Sequence, residues 1–165
     1  MNPDTDLRIE RTLDAPRELV WRAWTDPEQI KKWWAPRPYQ TPECEIELTP
    51  GGKFMTRMTG PDGMDFTGNA CILEVVEGER ITWSSALLPG FRPNSFPDDG
   101  CGGFPFTAIH TFADAGGGKT HYTATVLHKN AADAKIHADM GFQDGWGTCA
   151  EQLGEVARGL VSERA

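Results

Sequence analysis

The chain has 165 residues, with 16 Lys plus Arg against 24 Asp plus Glu, for a net charge of −8. That length fits one domain with a sizeable core, and the acidic balance excludes nucleic acid and anionic membranes as default partners, because both need a cationic face. Six Trp and eight Phe, with 18 Gly and 12 Pro, exclude disorder, collagen and coiled coil and point to a β-rich fold with an aromatic interior.

Residues 1–6 are polar and acidic, without the basic region and apolar run of a signal peptide. No segment nears the ~18 apolar residues of a membrane span. Cys44, Cys71, Cys101 and Cys149 are scattered and form no CxxC pair. The expectation is a cytoplasmic protein with reduced thiols. Cys44, Cys71 and Cys149 have apolar neighbours and read as core residues. Cys101 lies in a Gly-rich stretch and is the most reactive candidate.

Leu7, Ile9 and Leu13 alternate with Arg8, Glu10 and Thr12, which predicts a half-buried strand. Asp14-Ala15-Pro16 opens a helix, with Asp14 as N-cap and Pro16 in the first turn. Leu19, Val20, Ala23 and Trp24 give it an apolar side. Asp26-Pro27 starts a second short helix, with Gln29 placed to complete a capping box. That helix carries Ile30, Trp33 and Trp34 and stops before Pro36.

Period two then takes over. Cys44, Ile46 and Leu48 oppose Glu43, Glu45 and Glu47; Phe54, Thr56 and Met58 oppose Met55, Arg57 and Thr59. Further strands run over 66–76 and through Ile81 and Trp83. Residues 87–103 are rich in proline and glycine and carry Phe91, Arg92 and Phe96. A lid over a cavity mouth and an ordinary connecting loop fit this stretch equally well. Phe106, Ala108, His110 and Phe112 share one strand face; Tyr122, Ala124, Val126 and His128 share another, while His121 points outward. One long helix is expected over 133–162, with Phe142, Trp146, Cys149, Leu153, Val156 and Leu160 on one side. Its glycines Gly141, Gly145 and Gly147 call for a reason, either close approach to a ligand, a kink or tight packing.

The order is strand, two short helices, about six antiparallel strands and a long helix. It predicts an α+β fold in which a curved antiparallel sheet wraps the C-terminal helix. The segment from Asp14-Ala15-Pro16-Arg17-Glu18-Leu19-Val20-Trp21 to Arg22-Ala23-Trp24-Thr25-Asp26-Pro27 resembles the opening signature of the SRPBCC superfamily, in the branch similar to the activator of heat-shock-protein-90 ATPase. Trp33-Trp34-Ala35-Pro36, Gly51-Gly52-Lys53-Phe54, Gly116-Gly117-Gly118 and Gly141-Phe142 through Gly145-Trp146, with Leu153, follow in the matching order. The resemblance spans about 7–160. It implies one helix-grip domain over 1–165, shared with START lipid-transfer domains and the birch-pollen allergen. It also implies a cavity that mostly takes hydrophobic small molecules, though a few relatives are cyclases, dehydratases or oxygenase subunits. The activator proteins carry an additional chaperone-binding domain, for which this sequence has no room.

The candidate site is the inward set Trp33, Trp34, Phe54, Met58, Trp83, Phe106, His110, Tyr122, His128, Phe142 and Trp146. Aromatic walls with a few convergent polar groups suit a small hydrophobic or aromatic ligand. Plain core filling suits most of these residues individually. His110, His128 and His137 lack metal-ligand spacing, so no metal and no cofactor is expected. No nucleophile motif is present, and Asp65, Asp139 and Asp144 are the few carboxylates near the cleft. The reading is therefore a binding protein, with no catalytic residue assigned. The alternatives are a cyclase- or hydrolase-type enzyme using a cavity histidine, or a chaperone-associated interaction protein. A homodimer stays open.

Overall fold

The computed structural model describes residues 1–95 and 103–164, with side chains up to Leu160. Strand β1 spans Asp6–Leu13 and is followed by helices α1, Arg17–Thr25, and α2, Pro27–Ile30. Then come β2, Gln40–Ile46; β3, Lys53–Thr59; β4, Asp65–Val76; and β5, Arg80–Ser84. Two-residue strands β6, Leu87–Leu88, and β7, Arg92–Pro93, form a small hairpin. Strands β8, Phe106–Gly116, and β9, Lys119–His128, precede helices α3, Ala131–Asp139, and α4, Phe142–Arg164. The main sheet has seven strands in the order β1-β9-β8-β5-β4-β3-β2, with every neighbouring pair antiparallel. It is a curled half-barrel gripping α4, the helix-grip arrangement that the alternating pattern implied. Among the described residues no helix is long and apolar enough to cross a membrane.

The period-two faces place the core. Ile9, Leu13, Phe54, Ile81, Trp83, Ala108, Phe112, Tyr122, Ala124 and Val126 are buried on the gripping face. His121 lies on the opposite face, beside Thr111, Thr123 and Thr125. Leu48 is the exception among the alternating residues. Strand β2 ends at Ile46, and Leu48 stays 40% exposed.

The helix starts differ in detail from the expectation. Pro16, not Asp14, is the N-cap of α1, and no side chain caps it. Asp26 does cap α2, accepting from the Glu28 N–H at 3.0 Å. The capping box stays incomplete, because Gln29 Oε1 is buried without a partner. Helix α2 is only one turn, and Trp33 and Trp34 follow it in a turn whose amides bond back to the Ile30 carbonyl.

The single long helix over 133–162 is corrected to two. Gly141 has φ +92°, in the left-handed region that ends a helix. This breaks the chain between α3 and α4 and swings α3 onto β9 and β1. The remaining helix has 23 residues and packs along α1 and β1. Its deepest face is Ala150, Leu153, Ala157 and Leu160, while Trp146, Cys149 and Val156 are only partly covered.

Of Gly141, Gly145 and Gly147, two have a structural reason. Gly141 is the break. A Cβ on Gly147 would come 2.3 Å from an Arg11 guanidinium nitrogen, the far end of a flexible side chain. Gly145 faces open space, with nothing within 4 Å of a Cβ. We expect Gly145→Ala to stabilise the protein by about 0.5–1 kcal/mol, since alanine narrows the unfolded ensemble and fits the helix. A urea midpoint that falls in the variant would contradict this.

The stretch 87–103 is partly ordered. The Phe91 ring, at φ +62°, lies over Gly51, and Gly90 N–H donates to the Gly51 carbonyl at 2.8 Å. Residues 87–93 are thus fastened to the turn before β3. Phe96, Gly100 and Gly102, which with Phe91 and Gly103 made up the lid reading, lie outside the described residues, as does Cys101.

Candidate functional site

Small residues on the strands make room for large rings. Ala108 on β8 and Ala124 on β9 are fully buried, and each pairs across the sheet with a residue of the core. Into that space α1 delivers Trp24, which is 0% exposed. Its ring lies 5.7 Å from Trp33, 5.9 Å from Trp34, 5.7 Å from Phe54 and 4.7 Å from His110. The chain of rings continues from Phe54 to Trp83 at 5.2 Å, Trp83 to Phe106 at 5.5 Å and Phe106 to Trp146 at 6.1 Å. Trp146 of α4 stacks on His110 with a 3° interplanar angle, which joins the helix to the array on the sheet. Trp34, Phe106 and Trp146 stay partly accessible and form its open rim.

At the centre of the array is a polar relay. The indole N–H of Trp83 donates to His110 Nε2 at 2.9 Å. Indole nitrogen can only donate, so Nε2 is the acceptor and the ring proton sits on Nδ1. That Nδ1–H donates to the Tyr122 hydroxyl oxygen at 2.9 Å. The Trp24 indole N–H reaches the same oxygen at 3.2 Å. Burial pushes the His110 value down to about 3, so the imidazole is neutral. Burial likewise pushes the Tyr122 phenol up, so it keeps its proton. The Tyr122 oxygen therefore accepts twice, and its own O–H has no acceptor among the described residues.

A second polar chain runs along the cleft's far end. His128 Nδ1–H donates to the Thr5 carbonyl at 2.8 Å. His128 Nε2 lies 2.9 Å from His137 Nδ1. The break at Gly141 is what turns His137, on α3, toward this end. Phe104, Phe106 and Phe142 surround His137 with centroids 5.1, 5.2 and 5.1 Å away. Its value is lowered to about 4, first by burial and then by the neighbouring His128.

Most of the predicted set is brought together. Trp34, Phe54, Trp83, Phe106, His110, Tyr122 and Trp146 form one connected array, and His128 and Phe142 gather around His137. Trp33 belongs to the scaffold, because its indole donates to the Ala23 carbonyl at 2.9 Å and the ring is only 3% exposed. Met58 is not drawn in; it pairs with exposed Phe66 across β4 and packs outside the core cluster. Trp24, Phe104 and His137 are the members that the sequence reading left out. Asp65, Asp139 and Asp144 are all exposed; Asp65 is held by Arg57 at 2.9 and 2.8 Å, which keeps its carboxyl below the usual range. Among the described residues no group of three or more His, Cys, Asp or Glu gathers as a metal site.

Gln152 locks the rim to the helix. Its amide nitrogen donates to the Trp33 and Ala35 carbonyls at 3.1 and 2.9 Å, and its oxygen accepts from the Arg37 N–H at 3.1 Å. Cys149 Sγ donates to the Trp34 carbonyl at 3.2 Å, and burial pushes its thiol up to about 12. Cys44 is raised to about 12 in the same way. Both are inert core thiols.

Two open clefts lie elsewhere. One, of about 670 Å³, is lined by Lys31, Lys32, Arg37 and Tyr39. The other, of about 570 Å³, lies on the outer sheet face around Arg8, Thr123 and Thr125. Neither is lined by the aromatic array, whose rings already touch one another.

Comparison with known proteins agrees with this architecture. The chain is similar to protein NE0264 from Nitrosomonas europaea, with 37% identity, a TM-score of 0.90 and coverage of 98% of this chain and 99% of that one. Protein Ms6760 from Mycobacterium smegmatis is 26% identical, with a TM-score of 0.74 over 93% of this chain and 90% of that one. An AHSA1-like protein from Aeromonas hydrophila, 21% identical with a TM-score of 0.65 over 94% and 93% of the two chains, shares the fold. A search of curated proteins gave no match. The profile of the family described as "Activator of Hsp90 ATPase homolog 1-like protein" matches residues 14–158. With that match over most of its length, and the helix-grip sheet and helix around it, this chain belongs to that family, of the SRPBCC type.

Proposed function

We propose that the protein binds a small, flat, largely apolar or aromatic molecule carrying a hydrogen-bond acceptor, held between α4 and strands β3, β5, β8 and β9. The observation that carries this reading is the unspent hydroxyl proton of Tyr122, which is 3% exposed. A buried donor without a partner costs roughly 1–3 kcal/mol. A ligand carbonyl placed there recovers that energy while its ring lies among Trp34, Phe106 and Trp146. The fold, which commonly holds hydrophobic ligands, supports the same reading.

Because the rings are in mutual contact, the ligand enters by parting the rim. Association should therefore be slowed by the conformational change it requires. The test is tryptophan quenching with 2-acetylnaphthalene and with 2-ethylnaphthalene, which lacks the carbonyl. We expect saturable quenching by both, with the ketone several-fold tighter. Quenching that never saturates, or equal affinities, would sink the proposal. Catalysis by His110 or His128 gains no support from the geometry, since both nitrogens of each ring are already engaged.

A further inference from the structure

We infer that His137 is a recognition residue, whose Nε2 accepts a hydrogen bond from a hydroxyl group of a ligand lying against Phe104, Phe106 and Trp146. The inference extends the binding reading above to a second polar contact at the other side of Trp146.

The argument is one of hydrogen-bond direction. The Thr5 carbonyl can only accept, so His128 carries its proton on Nδ1. In neutral His128, Nε2 is then an acceptor, and the 2.9 Å contact requires His137 to donate from Nδ1. The carbonyl and the two rings thereby fix the His137 tautomer, and its Nε2 carries a lone pair. Among the described residues nothing donates to that lone pair.

The side chain is nevertheless buried, at 8% exposure. Aromatic rings flank it on several sides: Phe104 at 5.1 Å, Phe106 at 5.2 Å, Phe142 at 5.1 Å and Trp146 at 5.9 Å. None of these four offers a hydrogen bond to Nε2. A neutral, oriented acceptor inside an aromatic box matches one chemistry well: a hydroxyl on a flat ring, which satisfies the lone pair while the ring stacks on the walls. A cation is disfavoured by the absence of any carboxylate in this ring of neighbours, and an anion by the lone pair itself.

His128 acts here as a positioning residue, holding the His137 tautomer rather than touching the ligand.

The experiment compares 2-naphthol with 2-methoxynaphthalene at pH 8, above the ordinary imidazole value of about 6.5. Wild-type protein should bind the naphthol roughly three- to tenfold more tightly, the range expected for one added neutral hydrogen bond. In His137→Phe that preference should vanish. A measurement on the wild type alone keeps the test independent of how the variant folds. In ¹⁵N spectra the His137 Nε2 resonance should start as the unprotonated nitrogen of an Nδ1–H tautomer and shift on adding naphthol, but not on adding the ether.

Equal affinities in the wild type, a preference that survives in His137→Phe, or an Nε2 resonance that ignores naphthol would each overturn the assignment. If both probes bind equally, the cleft reading stands and only the role of His137 falls. If neither binds, both fall together.

Discussion

Replacing Trp24 with alanine should cost about 3–5 kcal/mol of folding stability, the range for emptying a large buried aromatic site. No other single truncation in this chain is expected to cost more. The ring is 0% exposed and touches Trp33, Trp34, Phe54 and His110. Its N–H also supplies one of the two bonds that the Tyr122 oxygen accepts. The substitution therefore removes packing from the sheet, from the Trp33-Trp34 turn and from α1 at once. Against a typical total of roughly 5–15 kcal/mol, that loss is a large fraction of the stability. Trp24→Phe, which keeps one ring but loses the N–H and part of the indole volume, should lose less. Urea unfolding followed by circular dichroism reads both. A loss under about 1.5 kcal/mol for the alanine variant would show that the array does not hold the fold together.

Acid should weaken the protein well before the carboxylates titrate. His110 is buried with its value lowered to about 3, against an ordinary 6.5. The unfolded chain therefore takes up a proton at this histidine that the folded protein refuses. Its contribution is complete above pH 6.5 and drains away as the pH falls from there toward about 3. One such proton gives a slope of about 1.4 kcal/mol per pH unit. His137, lowered to about 4, adds in the same direction over pH 6.5 to about 4, though it is less completely enclosed. Stability measured at pH 8, 6.5, 5.5 and 5 should be flat over the first step and fall over the next two. His110→Gln can still accept from Trp83 and donate to Tyr122, and it should flatten that fall by about one proton's worth. A wild-type profile that stays level from pH 6.5 to 5 would contradict the buried neutral His110.

Strand periodicity revealed the sheet and its inward face in advance, because alternation of Phe54, Trp83, His110 and Tyr122 with polar residues is set locally by the pleat. The helix break was less visible. Gly141 was noticed as costly, but only the backbone shows that it adopts a left-handed conformation and ends α3. The consequence for His137 was hidden with it, since a continuous helix would carry that residue elsewhere. Trp24 could be assigned to an apolar helix face, yet its central place depends on how α1 enters the half-barrel, which is a tertiary fact. Hydrogen-bond direction was beyond the sequence altogether. It follows from which atoms can only donate, and that requires Trp83 and His110 to be seen within reach of each other.

The pairing of β1 with β9, with Asp6 opposite Leu127 and Leu13 opposite Thr120, bears on how the chain is made. Translation delivers roughly 5–20 residues per second. The first strand thus leaves the ribosome on the order of ten seconds before its only partner in the sheet exists. Throughout that interval Leu7 and Ile9 have no neighbouring strand beside them. Closing so long a loop is slow in itself, and the nascent N-terminal segment is where the chain is most open to aggregation during synthesis.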